Sequence, residues 1–193
     1  LRNSSAASDV YKRQVIISRS GFTNELGWEI YFRPENNSEK IGDLILEEGG
    51  KMGMIITATP SFRGRRIEAG LLSAGQDFTN ETNPFSVGLG RFVDLDKKNF
   101  IGREALVESD KRCKSWGVRV VDGIASKGET LKFNGKLIGR ITSSTWSPFQ
   151  VCGVGIVYLN NSDLGPGTIV EVECTDGKTL SLIHISEPTR PSQ

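Results

Sequence analysis

The apolar positions of this chain change period as it runs. From Val15 to Phe32 they mark two strands joined by a short polar turn. Val15–Ser20 reads as a strand, and in Gly27–Phe32 the side chains of Trp28, Ile30 and Phe32 alternate with Glu29 and Tyr31, as in a sheet covered on one face. Pro34–Ser38 breaks that pattern. Ile41, Leu44, Ile45 and Glu48 then follow helical spacing, with Ser38 placed to cap the helix and Gly49-Gly50 to stop it. Met52–Ala58 is a short apolar connection or strand. Thr59-Pro60 opens a second helix, with Thr59 as cap and Pro60 in the first helical position, and the spacing of Ile67 and Leu71 carries it to about Ser73. Phe92–Leu95 reads as a short extended segment and Gly102–Glu108 as a short helix. After about Asp110 the texture becomes β-rich: Trp116–Val121, Thr130–Phe133, Lys136–Ser143, Gly153–Tyr158 and Thr168–Cys174, with turn signals between them. Among these Asn134-Gly135 is a strong two-residue hairpin signal. The reading is an α+β chain: a mixed portion over residues 15–108, then an all-β portion over 111–181 that forms a small barrel or sandwich.

The two ends do not share this patterning. Residues 1–14, LRNSSAASDVYKRQ, and 182–193, LIHISEPTRPSQ, read as translated sequencing-adapter DNA, and are expected to be foreign to the fold. Ordinary disordered termini are the alternative. The only histidine, His184, lies in the second of these segments, so residues 15–181 hold none. A histidine base, triad or metal site is therefore not expected.

Charge narrows the function further. Setting aside Arg2, Lys12, Arg13 and Arg190, and Asp9 and Glu187, leaves 20 basic and 21 acidic residues in 15–181. That balance carries no basic footprint for nucleic acid. No apolar run approaches the ~20 residues that span a bilayer, so no membrane partner is expected. Cys113, Cys152 and Cys174 form neither a CxxC pair nor an even set. Reduced thiols in a cytoplasmic compartment (the mitochondrial matrix in a eukaryote) follow. No metal site is expected.

Four segments in order carry a family resemblance. They are Ser18-Arg19-Ser20-Gly21-Phe22-Thr23 with Gly27-Trp28-Glu29-Ile30; Arg66-Ile67-Glu68-Ala69-Gly70-Leu71 with Gly75-Gln76-Asp77; Asn83-Pro84-Phe85 through Phe100-Ile101-Gly102-Arg103-Glu104-Ala105-Leu106; and Ile138-Gly139-Arg140-Ile141-Thr142-Ser143 with Ser147-Pro148. Together they resemble the aminomethyltransferase family, which includes the T-protein of glycine cleavage and the dimethylsulfoniopropionate demethylases. The resemblance implies part of a folate-binding domain over 15–108 and a truncated C-terminal β-barrel over 111–181, hence only the later part of such an enzyme. It implies tetrahydrofolate as cofactor and a small-molecule one-carbon donor, with a carrier protein if the parent is a true T-protein.

The same resemblance points to Phe22, Glu29 and Arg66 as folate-binding residues, with no catalytic residue in this part. One carboxylate suits the adjacent amide N–H and exocyclic amine of a pterin. An aromatic ring covers a pterin face, and a guanidinium suits a carboxylate or a polarised oxygen. Each has a plainer alternative: Glu29 on the solvent face of a strand, Phe22 in a core, Arg66 in an internal ion pair with Asp77 or near Glu68. Arg63 and Arg65 read as a solvated face, and Asn83-Pro84 with Gly88 and Gly90 as a structural turn. The sequence departs from the family at Ala74, often tyrosine, and at Ser86, where an acid is usual, and it lacks the family's N-terminal aspartate. The spelling leans to the demethylase-like branch. The folate-binding region of dimethylglycine and sarcosine dehydrogenases, or a non-catalytic folate-binding module, are the alternatives, and the fragment alone is expected to be inactive.

Overall fold

The computed structural model describes residues 8–10, 13–160, 164–175 and 179–186. The chain divides into two compact units, Leu1–Phe62 and Arg63–Gln193.

The first unit holds an antiparallel three-stranded sheet, β1 (Ser8–Val10), β2 (Arg13–Ser18) and β3 (Glu29–Tyr31), followed by α1 (Ser38–Lys51). β2 and β3 pair with Ile17 opposite Ile30 and Ser18 opposite Glu29. The alternation read from the sequence therefore sets the two faces: Val15, Ile17 and Ile30 on one, Ser18, Glu29 and Tyr31 on the other. Val15 is buried, but Trp28 remains 64% and Phe32 44% exposed. Sidedness was legible and cover was not. α1 is capped by Asn37, whose Oδ1 accepts the Lys40 N–H at 2.9 Å, rather than by the expected Ser38 one residue later. The helix also runs through Gly49-Gly50, expected as its stop, and ends where Gly53 takes φ +82°. Gly49 stays inside because Met54 folds back over it; a Cβ there would sit 2.6 Å from the Met54 sulfur.

α2 (Thr59–Glu68) crosses the division between the units. It stops five residues short of Ser73 for a local reason. Gly70 takes φ +69°, its N–H bonds Ile67 O at 3.0 Å, and the Leu71 N–H bonds Arg66 O at 2.8 Å. This is a Schellman ending, which satisfies carbonyls that a continuing helix would have used. A 3-10 turn at Gly90–Phe92 and α3 (Arg103–Glu108) follow.

The rest of the second unit is a closed six-stranded barrel, ordered β4 (Ser115–Val120), β7 (Cys152–Leu159), β6 (Lys136–Ser147), β5 (Thr130–Phe133), β8 (Val170–Glu173), β9 (Thr179–Ser186). Closure leaves no free sheet edge. Asn134 (φ +50°) and Gly135 (φ +74°) make the tight turn between β5 and β6 as their spelling predicts. The barrel core is Val118, Val120, Leu131, Ile141, Val157, Leu159, Val170 and Val172. β7 is buried on both sides, because Cys152, Val154 and Ile156 turn outward beneath Ile67. β6 meets β7 with a bulge at Thr142: Ile141 pairs with Val157, but Ser143 pairs with Ile156. β9 was not foreseen, and its backbone runs across the boundary at 181/182 into the segment read as foreign. β1 and the start of β2 likewise lie within residues 1–14.

Candidate functional site

Phe22 and Glu29 belong to the first unit and Arg66 to the second; each has its own surroundings.

Glu29 opens β3 on the same face as Ser18 and Ser20. Its Oε2 accepts from the Ser20 hydroxyl in a short bond and from the Tyr31 hydroxyl at 2.9 Å. The Ser20 hydroxyl, then that of Tyr31, hold the carboxyl below its ordinary value of 4.5, and the carboxylate in turn pushes the Tyr31 phenol up from 10.0. Oε1 accepts no hydrogen bond from the described residues. The group is thus an anchored anion with one oxygen open to a donor. Phe22 is half-buried and lies against Phe62 with ring centroids 5.8 Å apart and planes tilted by 32°. That is ordinary aromatic packing, which leaves part of the Phe22 surface exposed.

Arg66 is the opposite case. It sits in the last turn of α2, only 3% exposed, and both terminal nitrogens are engaged. One donates to Asp77 Oδ2 and to Leu71 O, each at 2.9 Å; the other donates to Ser143 Oγ at 2.8 Å and Gln76 Oε1 at 3.3 Å. Asp77, 2% exposed, also takes the Ser73 N–H at 2.8 Å and the Thr142 hydroxyl at 2.6 Å. The internal ion pair with Asp77, weighed as the alternative for Arg66, is present. A direct contact from Arg66 to folate would have to use its remaining N–H or displace one of these partners. A second clasp lies along the same helix, where the Ser147 hydroxyl donates to Glu68 in a short bond while Glu68 also pairs with Arg65 at 2.7 Å. The segments Arg66–Asp77 and Thr142–Ser147, far apart in sequence, are thereby held together.

Beside this network an open cavity of about 310 Å³ is lined by Gln76, Thr142, Ser143 and Ser144, with Arg63 and Lys127 adding two positive charges. Arg63 and Lys127 make no ion pair among the described residues, so this wall suits an anionic group. Arg65, read with Arg63 as a solvated face, is exposed and also pairs with Glu68. The Asn83-Pro84 turn is structural: Asn83 Oδ1 accepts the Ser86 N–H at 2.9 Å, and a Cβ on Gly90 would lie 2.6 Å from the Phe85 ring. Ser20, Tyr31, Lys127 and the role of the Thr142 bulge were not singled out from the sequence. Ser20 and Tyr31 were discoverable, because residues two apart on a strand share a face with their cross-strand neighbours. Among the described residues no cluster of His, Cys, Asp or Glu could hold a metal ion. No helix among them is long and apolar enough to cross a membrane.

Residues 3–97 match the family model of the GCVT N-terminal domain, and residues 114–189 match that of the glycine cleavage T-protein C-terminal barrel domain. Both matches extend into the end segments read as foreign. An aminomethyltransferase of Halothermothrix orenii is 34% identical over 163 residues, which cover 82% of this chain and 45% of that protein. A probable aminomethyltransferase of Thermococcus gammatolerans is 33% identical over 201 residues, covering 91% and 50%. A protein named trimethylamine-oxide aldolase from Ruegeria pomeroyi is 34% identical over 172 residues, which cover 84% of this chain but 21% of that longer protein. The crystal structure of the glycine cleavage system aminomethyltransferase T from Bartonella henselae superposes with a TM-score of 0.76 at 28% identity, over 90% of this chain and 49% of that one. The chain thus spans about half the length of the aminomethyltransferases it matches.

Proposed function

We propose, for a chain that belongs to the aminomethyltransferase (glycine cleavage T-protein) family, that it is part of a tetrahydrofolate-dependent one-carbon transferase. The observation that carries the reading is Glu29, an ionised carboxylate anchored through Oε2, whose Oε1 accepts no hydrogen bond among the described residues. That donor-free oxygen fits the pterin, whose N–H groups need an acceptor. When bound, tetrahydrofolate supplies the nitrogen that takes up the one-carbon unit. In the first unit Glu29 accepts from the pterin and Phe22 covers part of its face; in the second, taken by itself, Arg66 fixes Gln76 and Ser143 at the edge of that unit's cavity. Orientation of two bound reactants contributes up to roughly 7–11 kcal/mol in favourable models.

Within that reading we place the parent nearer the demethylase-like branch, with a small methylated or aminomethyl donor, and with a carrier protein only if it acts as a T-protein. The match to a longer protein favours a second reading, a folate-binding region fused to another enzyme domain, as in dimethylglycine and sarcosine dehydrogenases. Residues 1–14 and 182–193 we continue to assign to adapter-derived sequence. LIHIS has the alternation of a strand, so it suits the last strand of the six-stranded barrel whatever its origin. Cys152 is a free thiol, which suits a reducing compartment such as the cytoplasm.

Recovery of the uninterrupted gene from the same source, followed by calorimetric titration of its product with tetrahydrofolate, tests the reading. Saturable binding that is weakened roughly ten- to hundred-fold by Glu29→Ala is expected. Absence of binding by the intact product would refute it, and a gene that encodes both odd ends would overturn the adapter assignment.

A further inference from the structure

We propose that Ser20 and Tyr31 are positioning residues of the Glu29 site: their hydroxyls fill Oε2 and leave Oε1 as the one oxygen offered to a ligand's N–H donors. This deepens the folate reading and rests on it for the identity of the ligand.

The geometry begins with register. Ser18 stands directly opposite Glu29, which puts Ser18, Ser20, Glu29 and Tyr31 on one face of the β2–β3 ribbon. Two hydroxyl donors converge on the same carboxylate oxygen. A carboxylate oxygen has about two lone-pair sites, so Oε2 is full. The Ser18 and Ser20 oxygens are 3.1 Å apart. Because Ser20 gives its proton to Glu29, Ser18 must donate in that contact, and the chain Ser18 to Ser20 to Glu29 fixes the direction of the middle hydroxyl. Tyr31 is the titratable group that acts on Glu29.

The consequence concerns an amide in place of the carboxylate. In Glu29→Gln the two hydroxyls select the amide oxygen, and the NH2 takes the open place. A ligand donor then meets a donor. Glu29→Gln should therefore bind as poorly as Glu29→Ala. With both hydroxyls removed, by Ser20→Ala and Tyr31→Phe, the amide is free to turn its oxygen outward, and binding should recover.

The first readout needs no folate: carbon-detected NMR titration of the labelled Glu29 carboxyl in this chain. The midpoint should lie below 4.5, rise toward it in Ser20→Ala and rise by less in Tyr31→Phe. An ordinary midpoint in the unmodified chain, or no response to either substitution, overturns the proposal. The second readout is tetrahydrofolate titration of the full-length protein. Glu29→Gln in the doubly substituted background should bind about tenfold tighter than Glu29→Gln alone. Wild-type-like binding by Glu29→Gln alone overturns the assignment of Oε1. If tetrahydrofolate does not bind the unmodified protein, the folate reading falls, while the carboxyl titration still decides whether the two hydroxyls position Glu29.

Discussion

Glu29 and Arg66 were read from the sequence as partners in one task, yet their surroundings differ in kind. Glu29 stands on an exposed ribbon, held by two neighbours from its own hairpin, with one oxygen open. Arg66 is sealed between the end of α2 and strand β6, with Asp77, Leu71, Gln76 and Ser143 around its guanidinium. In the open setting a charge costs little to keep and is available to a ligand. In the closed setting a charge is tolerable only when its hydrogen bonds are satisfied from inside, and it is correspondingly committed. The same contrast separates a recognition group from a framework group.

Breaking the closed side should have the largest effect. Asp77→Ala leaves the Arg66 guanidinium buried without its carboxylate, and chemical denaturation should register a loss of about 3–5 kcal/mol. A loss below about 1 kcal/mol would mean that the buried pair is not what holds α2 to the barrel. Leu131→Ala, in the fully buried barrel core, should cost about 2–5 kcal/mol by the same assay, which measures the apolar share of that unit's stability beside its polar share. Glu29→Ala should leave the denaturation curve unchanged and act on ligand binding alone. A shifted curve would place Glu29 with the framework after all. The smallest effect is Asn37→Ala, which removes the α1 cap in the first unit and should cost about 1 kcal/mol, read by helical circular dichroism on heating.

Much of the fold was legible where local chemistry decides it. β5 (Thr130–Phe133) falls where the spelling put it, because Asn134 and Gly135 both accept the left-handed backbone that the turn requires. Where tertiary contacts decide, the pattern misled. Leu71 continues the helical spacing of α2, but Gly70 ends the helix one residue earlier and Leu71 donates backward instead. β6 continues to Ser147, past its expected end at Ser143, through a polar run that shows no alternation. Ser143 and Ser147 in that run are buried by partners on α2 and in the Gly75–Phe78 turn that no local rule could supply. For the site, the family motif located Glu29, and the ion pair of Arg66 with Asp77 was one of the open alternatives. The exposure of Glu29, the closure around Arg66 and the hydroxyls on Oε2 depend on distances between strands.

Thr142 has a consequence beyond its hydrogen bond. In β6 the side that faces the barrel interior is set by counting, and the bulge inserts one count. Before it, Ile141 pairs with Val157 of the inner core; after it, Ser143 and Ser147 pair with Ile156 and Cys152 of the outer layer, where Arg66 and Glu68 await them. The extra residue works like a one-letter shift of frame. Ironing out the bulge without removing a residue, so that Thr142 took Ser143's place opposite Ile156, would turn Ser143, Thr145 and Ser147 toward the apolar interior, with Ser144 and Trp146 sent outward in exchange. What that position encodes is a parity, and substitutions elsewhere in the strand, whatever their chemistry, cannot restore it.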